Sequence, residues 1–114
     1  MGEVLTESLQ ETIEPVLARN GSENQLRRIV ERFGNRERLA GIAIYDADGK
    51  VLAASASIAQ SAEPPPHVFA ETLTHDQGTG EFATFNNSPM YVYALPLHRG
   101  SSLTGALVTF HNAR

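Results

Sequence analysis

Residues 41–55 read Gly41-Ile42-Ala43-Ile44-Tyr45-Asp46-Ala47-Asp48-Gly49-Lys50-Val51-Leu52-Ala53-Ala54-Ser55. Two short β-type runs, Leu39–Asp46 and Lys50–Ser55, flank the turn Asp46-Ala47-Asp48-Gly49. Asp48 and Gly49 both tolerate positive φ, so the pair is a strong hairpin signal. The stretch therefore predicts an antiparallel hairpin that opens a sheet.

Upstream of the hairpin the period is helical. Residues 3–38 read as helix, with Leu5, Leu9, Ile13, Val16 and Leu17 recurring at steps of four and three to draw one apolar stripe. Glu3, Glu7, Glu11 and Glu14 line up beside it as a solvated acidic edge. Pro15 removes a backbone donor inside this stretch and predicts a kink near Glu11. Arg19-Asn20-Gly21 reads as a helix end with Gly21 as a left-handed cap. Ser22 and Gln25 form a capping box for a second amphipathic helix. That helix carries Leu26, Ile29, Val30 and Phe33, stops at Gly34, and shows Arg27, Arg28, Arg32, Arg36 and Arg38 on its outer side.

Downstream, Ser57–Pro66 is rich in Ala, Ser and Pro and reads as loop. His67–Leu73 is a short helix, and Asp76–Gly80 is a turn. Three strand candidates follow: Gly80–Phe85, Met90–His98 and Leu103–His111. Turn-like residues separate them, and no long crossover helix intervenes, which predicts an antiparallel meander. Tyr91, Tyr93, Leu95 and Leu97 alternate with Met90, Val92, Ala94 and Pro96, so both faces are apolar and need cover. The N-terminal helices cover one face, leaving the 51–79 segment to fold over the other. The expected architecture is α/β in the α+β sense: an antiparallel five-stranded sheet with N-terminal helices packed on one face. No internal repeat is visible, and residues 1–114 form a single domain, helices in 3–38 and the sheet with its covering segment in 39–111.

Composition narrows the function. With 114 residues, 41% hydrophobic and 19% charged, the chain suits one folded domain. No cysteine is present, which excludes a disulfide framework and thiolate chemistry. The net charge of −4 argues against a non-specific nucleic-acid binder. No apolar run approaches the roughly 18 residues of a membrane-spanning helix, and no signal peptide is present.

Motifs for chemistry are sparse. Asp46-x-Asp48-Gly49 matches the opening of a calcium loop, but the twelfth position would be Ser57 rather than Glu, so a plain hairpin is the better reading. The four histidines, His67, His75, His98 and His111, show no zinc spacing; His67 and His75 flank the short helix and are the one pair placed to converge. A histidine set beside a carboxylate would sense pH. No serine sits in a nucleophile elbow, and Gly78-Thr79-Gly80 is too short for a phosphate loop. Nothing brings Glu63, Glu71 or Glu81 together as acid and base. The chain by itself reads as no enzyme, with no metal and no cofactor.

The residues 41–55 resemble the first hairpin of the PAS-like sensor fold, specifically the extracytoplasmic Cache (PDC) family, in which a strand ends in an Asp-x-x-Gly turn and the return strand opens with an aliphatic pair. Tyr91-Val92-Tyr93-Ala94-Leu95-Pro96-Leu97 resembles its next-to-last strand, and Gly105-Ala106-Leu107-Val108-Thr109-Phe110 its last. Glu31–Asp46 is also similar to the sensor-like region ahead of the catalytic part in some bacterial trehalose-6-phosphate synthases; a sensor histidine kinase or chemoreceptor is the other parent this resemblance implies. These motifs signal a fold rather than an active site.

The resemblance implies a sensor or regulatory domain that captures a small molecule between the sheet and the loop-helix segment after the hairpin. By position, His67 and Phe69 on the covering segment and Phe85, Tyr91 and Tyr93 on the strands would line that pocket, unless they simply fill the core. It further implies an extracytoplasmic, periplasmic location, with membrane segments flanking an excised piece such as this one. The stripe Leu5, Leu9, Ile13, Val16 approximates a coiled-coil seam, which suggests a homodimer through the N-terminal helix; the plain alternative is that it packs only on its own sheet. A ligand-free dimerisation module and a roadblock- or profilin-like interaction domain are the rival readings.

Overall fold

The computed structural model describes residues 3–18, 23–33, 39–55, 67–85 and 87–112. In chain order the elements are α1 (Glu3–Ala18), α2 (Glu23–Phe33), β1 (Leu39–Asp46), β2 (Val51–Ala54), α3 (His67–His75), β3 (Thr79–Phe85), β4 (Ser88–Arg99) and β5 (Ser102–Asn112). The helical stretch expected over 3–38 is thus two helices. The cap at Gly21, the capping-box Ser22 and the Gly34 stop lie outside the described residues, as do the side chains of Leu5 and Phe33. Helix α1 continues through Pro15, which is exposed.

The strands form one five-stranded antiparallel sheet in the order β2-β1-β5-β4-β3. The expected meander of β3, β4 and β5 is present. The last strand also pairs with the first, placing β5 at the centre of the sheet.

The opening hairpin is wider than a two-residue turn. Tyr45 pairs with Val51, and the Asp46 carboxylate accepts the Asp48 and Lys50 backbone N–H groups, both at 2.9 Å. Gly49 supplies the left-handed conformation with φ of 87°, and Asp48 does not adopt one. The Asp46 carboxylate therefore serves the turn as a backbone acceptor.

Alternation along the strands sends side chains to two cores. On one face Leu9, Ile13 and Val16 of α1 and Leu26 and Val30 of α2 pack on Ile42, Ile44, Leu97 and Leu107. On the other, Val68 and Phe69 of α3 pack on Ala43, Tyr45, Met90, Val92, Ala94, Ala106, Val108 and Phe110. The first arrangement corrects the dimer expectation at the level of residues. Leu9 and Ile13 are fully buried against their own sheet and are not available as a coiled-coil seam. Covering this sheet face stabilises the helix more directly than pairing with another copy.

Polar contacts fix how α1 lies on the sheet. The Thr6 and Thr109 hydroxyls meet at 2.8 Å in the buried layer, and His111 Nε2 joins Thr109 Oγ1 at 2.9 Å. Gln10 Nε2 donates to the Pro96 carbonyl at 2.7 Å. These bonds set the position of α1 along β4 and β5, which apolar packing alone would leave free to slide.

Candidate functional site

The sheet face under α3 is floored by short side chains. Across four strands the register places Ala54 beside Ala43, Ala43 beside Val108, and Val108 beside Ala94. The equivalent row on the opposite face runs Ala53, Ile44, Leu107 and Leu95. This row carries three alanines and a valine where the other carries three large aliphatics, and Ala43, Val108 and Ala94 are fully buried. Tyr45 flanks this row on one side, and Phe110 and Val92 flank it on the other.

Helix α3 lies over the β4 and β5 part of this floor. Its Thr72 hydroxyl sits 3.0 Å from the Gln77 carbonyl and 3.2 Å from the Ala94 carbonyl, tying the helix end to β4. Phe69 meets the Tyr45 ring edge-on at a centroid distance of 5.2 Å. Tyr45 is only 4% exposed. Burial alone pushes its hydroxyl up to about 12, since the phenolate would be poorly solvated there. The hydroxyl makes no hydrogen bond with the described residues, although every fully enclosed polar side-chain atom among them has a partner.

The five residues expected to line one pocket do not share a face. Phe69 belongs to the α3 core. Tyr91 and Tyr93 point to the α1 side, because they alternate with Met90, Val92 and Ala94. There Tyr91 stacks on Tyr93 at 6.4 Å and tilts against Phe82 at 5.1 Å and His111 at 6.4 Å. Both tyrosine rings lean over β3, where Gly80 leaves room that a Cβ would fill. His67 opens α3 with an exposed side chain, 3.6 Å from Glu71 and turned away from the floor. Phe85 closes β3, and its side chain lies outside the described residues. His67 and His75 stand at opposite ends of α3, about 12 Å apart along its axis at 1.5 Å per residue, which removes their expected convergence.

Tyr45 is the residue that sequence reading missed. Its alternation with Ala43 was visible, but nothing local shows that this side of the strand faces α3. His98 acquires partners no spacing announces. Its ring Nδ1 lies 3.1 Å from Glu14 Oε2 and its Nε2 lies 2.7 Å from Asp76 Oδ1. Its backbone N–H also donates to Glu14 at 2.8 Å. Burial lowers its pKa, but the hydrogen bonds to Asp76 and Glu14 and their charges outweigh that and raise it above 6.5. The clamp joins α1, the α3–β3 turn and the end of β4. Beside it runs an open groove of about 390 Å³ lined by Glu11, Glu14, Pro15, Ala18, His98 and Gly100. Among the described residues no cluster of three or more metal-ligating side chains occurs, and no helix is long and apolar enough to cross a membrane.

The sequence matches no family model and no curated protein. Solved structures do match. The sensory domain of the Campylobacter jejuni chemoreceptor Tlp3 superposes with a TM-score of 0.77 at 15% identity, covering 97% of this chain and 51% of that one. The same domain in complex with L-valine gives 0.75 at 16% identity, again over 97% and 51%. The sensor domain of the V. cholerae histidine kinase DctB gives 0.65 at 16% identity, over 96% of this chain and 43% of that one. The ligand-binding domain of the Pseudomonas aeruginosa chemoreceptor PctC in complex with GABA gives 0.65 at 12% identity, over 96% and 59%. The fold is therefore that of bacterial sensory domains, the α+β sheet expected from the hairpin. The chain spans about half the length of the sensory domains it matches.

Proposed function

We propose that this chain is a small-molecule-sensing module of a bacterial receptor or regulated protein, with the ligand held on the α3 face of the sheet. It performs no chemistry itself and works outside the cytoplasm. The observation that supports this most is the unequal build of the two faces. One carries large aliphatics under two helices, and the other has a central row rich in alanine that meets, among the described residues, one short helix. The similar sensory folds add support, two of them solved with an amino-acid ligand.

The route for a signal follows from the hydrogen bonds. A ligand between α3 and the floor touches β5 through Val108 and Ala106. On its other face β5 is bonded to α1 through Thr109 and Thr6. A change in the lie of β5 therefore passes to α1, the first element of the chain. Such transmission requires a ligand that binds one arrangement more tightly than the other.

A thermal-shift screen against amino acids, carboxylates, amines and sugars, including trehalose and its phosphate, tests the reading. A ligand at 100 times its dissociation constant adds about 2.7 kcal/mol to stability, a rise of several degrees in Tm. At least one class is expected to stabilise the protein. A flat response from well-folded protein, across these and neutral probes alike, would replace sensing with a ligand-free regulatory module.

A further inference from the structure

We propose that His98, Glu14 and Asp76 form a proton-operated latch: the protonated imidazole holds α1 and the turn after α3 to the end of β4, and its deprotonation releases Asp76 and frees that turn. This goes beyond the sensing function proposed above and stands whether or not a ligand binds. Two observations carry it. The first is the supply of protons. Both ring nitrogens face a carboxylate oxygen, Nδ1 at 3.1 Å from Glu14 and Nε2 at 2.7 Å from Asp76. An ionised carboxylate only accepts, and a neutral imidazole carries a single N–H, so only the imidazolium donates to both. The second is the unequal hold on the two carboxylates. Glu14 Oε2 also accepts the His98 backbone N–H at 2.8 Å, a bond that does not depend on the state of the ring. Among the described residues the Asp76 carboxylate is bonded to the ring alone. Its side chain is 54% exposed against 31% for Glu14, and its backbone sits at a φ of 51°, a region that a residue with a Cβ occupies at a cost.

The groups around the ring set the order of events. From α1, Glu14 touches it and Glu11 lines the open groove alongside. From the α3–β3 turn comes Asp76. Strand β5 sets Leu103 opposite His98 and brings no charge there. His75 and Arg99, the neighbouring basic residues in the chain, are exposed. Burial opposes the charged ring, but the hydrogen bonds to Asp76 and Glu14 and their charges outweigh it, so the ring keeps its proton above the ordinary 6.5. The latch is therefore closed at low pH and opens as pH rises through the folded-state value. When the proton leaves, the Nδ1–H tautomer keeps Glu14, and the Nε2 lone pair is turned on the Asp76 oxygen. The turn then retains the Thr72 hydroxyl on the Gln77 carbonyl at 3.0 Å. That same hydroxyl lies 3.2 Å from the Ala94 carbonyl, so loosening of the turn reaches the end of α3 where it meets the sheet.

Nuclear magnetic resonance of the full chain tests the latch, with the histidine ring titration read beside backbone order parameters below and above the His98 midpoint. The midpoint should lie above 6.5. Order parameters at Gln77 and Gly78 should fall from a rigid value of about 0.85 toward about 0.6 as the ring loses its proton, while Glu14 stays rigid. Asparagine tolerates the same left-handed backbone, and its amide accepts from a protonated nitrogen and donates to a bare one. Asp76→Asn should therefore keep the turn rigid on both sides of the midpoint. Turn order parameters that do not change through the titration would overturn the latch. Loosening at Glu14 in place of the turn would overturn the release of Asp76, and so would a turn that still loosens in Asp76→Asn. A midpoint at or below 6.5 would show that the two carboxylates do not hold the proton, which also ends the proposal.

Discussion

The two faces of this sheet come from the same strands and are built to different ends. Ile42, Ile44, Leu97 and Leu107 meet two helices, and the layer closes with threonine and glutamine bonds that fix α1 on the sheet. Ala43, Ala94 and Ala106 meet one nine-residue helix. Large aliphatics on both sides of an interface interlock and resist replacement. Short ones make less contact with whatever lies above, so a ligand can compete for that place at lower cost. The difference shows how one sheet can carry two cores of unequal side-chain size.

The strongest attack on this contrast is Leu107→Ala, which opens a cavity in the fully buried α1 face. A loss of about 2–5 kcal/mol is expected in urea unfolding. A cost below 1 kcal/mol would mean that this face is no better packed than the other. Next comes Thr109→Val, which removes the oxygen shared by Thr6 and His111 in the buried layer. It should cost about 1–3 kcal/mol and weaken any ligand-induced change in α1, read by amide hydrogen exchange. Ala43→Val probes the opposite face. Ala43 is fully buried, so the two added methyl groups should cost about 1–3 kcal/mol, whereas a cost near zero would show slack above this row.

The smallest effect belongs to the His98 clamp. Its pKa in the folded protein is raised above 6.5, so the folded state holds the proton more tightly than the unfolded chain. The stabilisation is complete below the unfolded value and is lost as pH rises through the folded one. The side chain is 32% exposed, so solvent screening holds the effect below about 1 kcal/mol. Wild type should lose Tm relative to His98→Gln as pH rises past 6.5. Parallel profiles for the two proteins would show that the clamp does not couple to folding.

The sequence alone determined a good deal. The Asp46–Gly49 turn, the strand segments and the apolar stripe of α1 follow from local rules: a turn needs its acceptor and its glycine, and periods of two and 3.6 separate strand from helix. Those rules sort residues into faces. They do not say which face meets which helix. That choice was left to the tertiary structure, which inserted β5 between β1 and β4 and set α1 and α3 on opposite sides. It thereby divided Phe69 from Tyr91 and Tyr93, which sequence reading had placed in one pocket, and put Tyr45 against Phe69 on the α3 face. It also brought Glu14 and Asp76 to His98 across 84 and 22 residues of chain. Contacts at such separations depend on the packing of whole elements, and no local pattern encodes them.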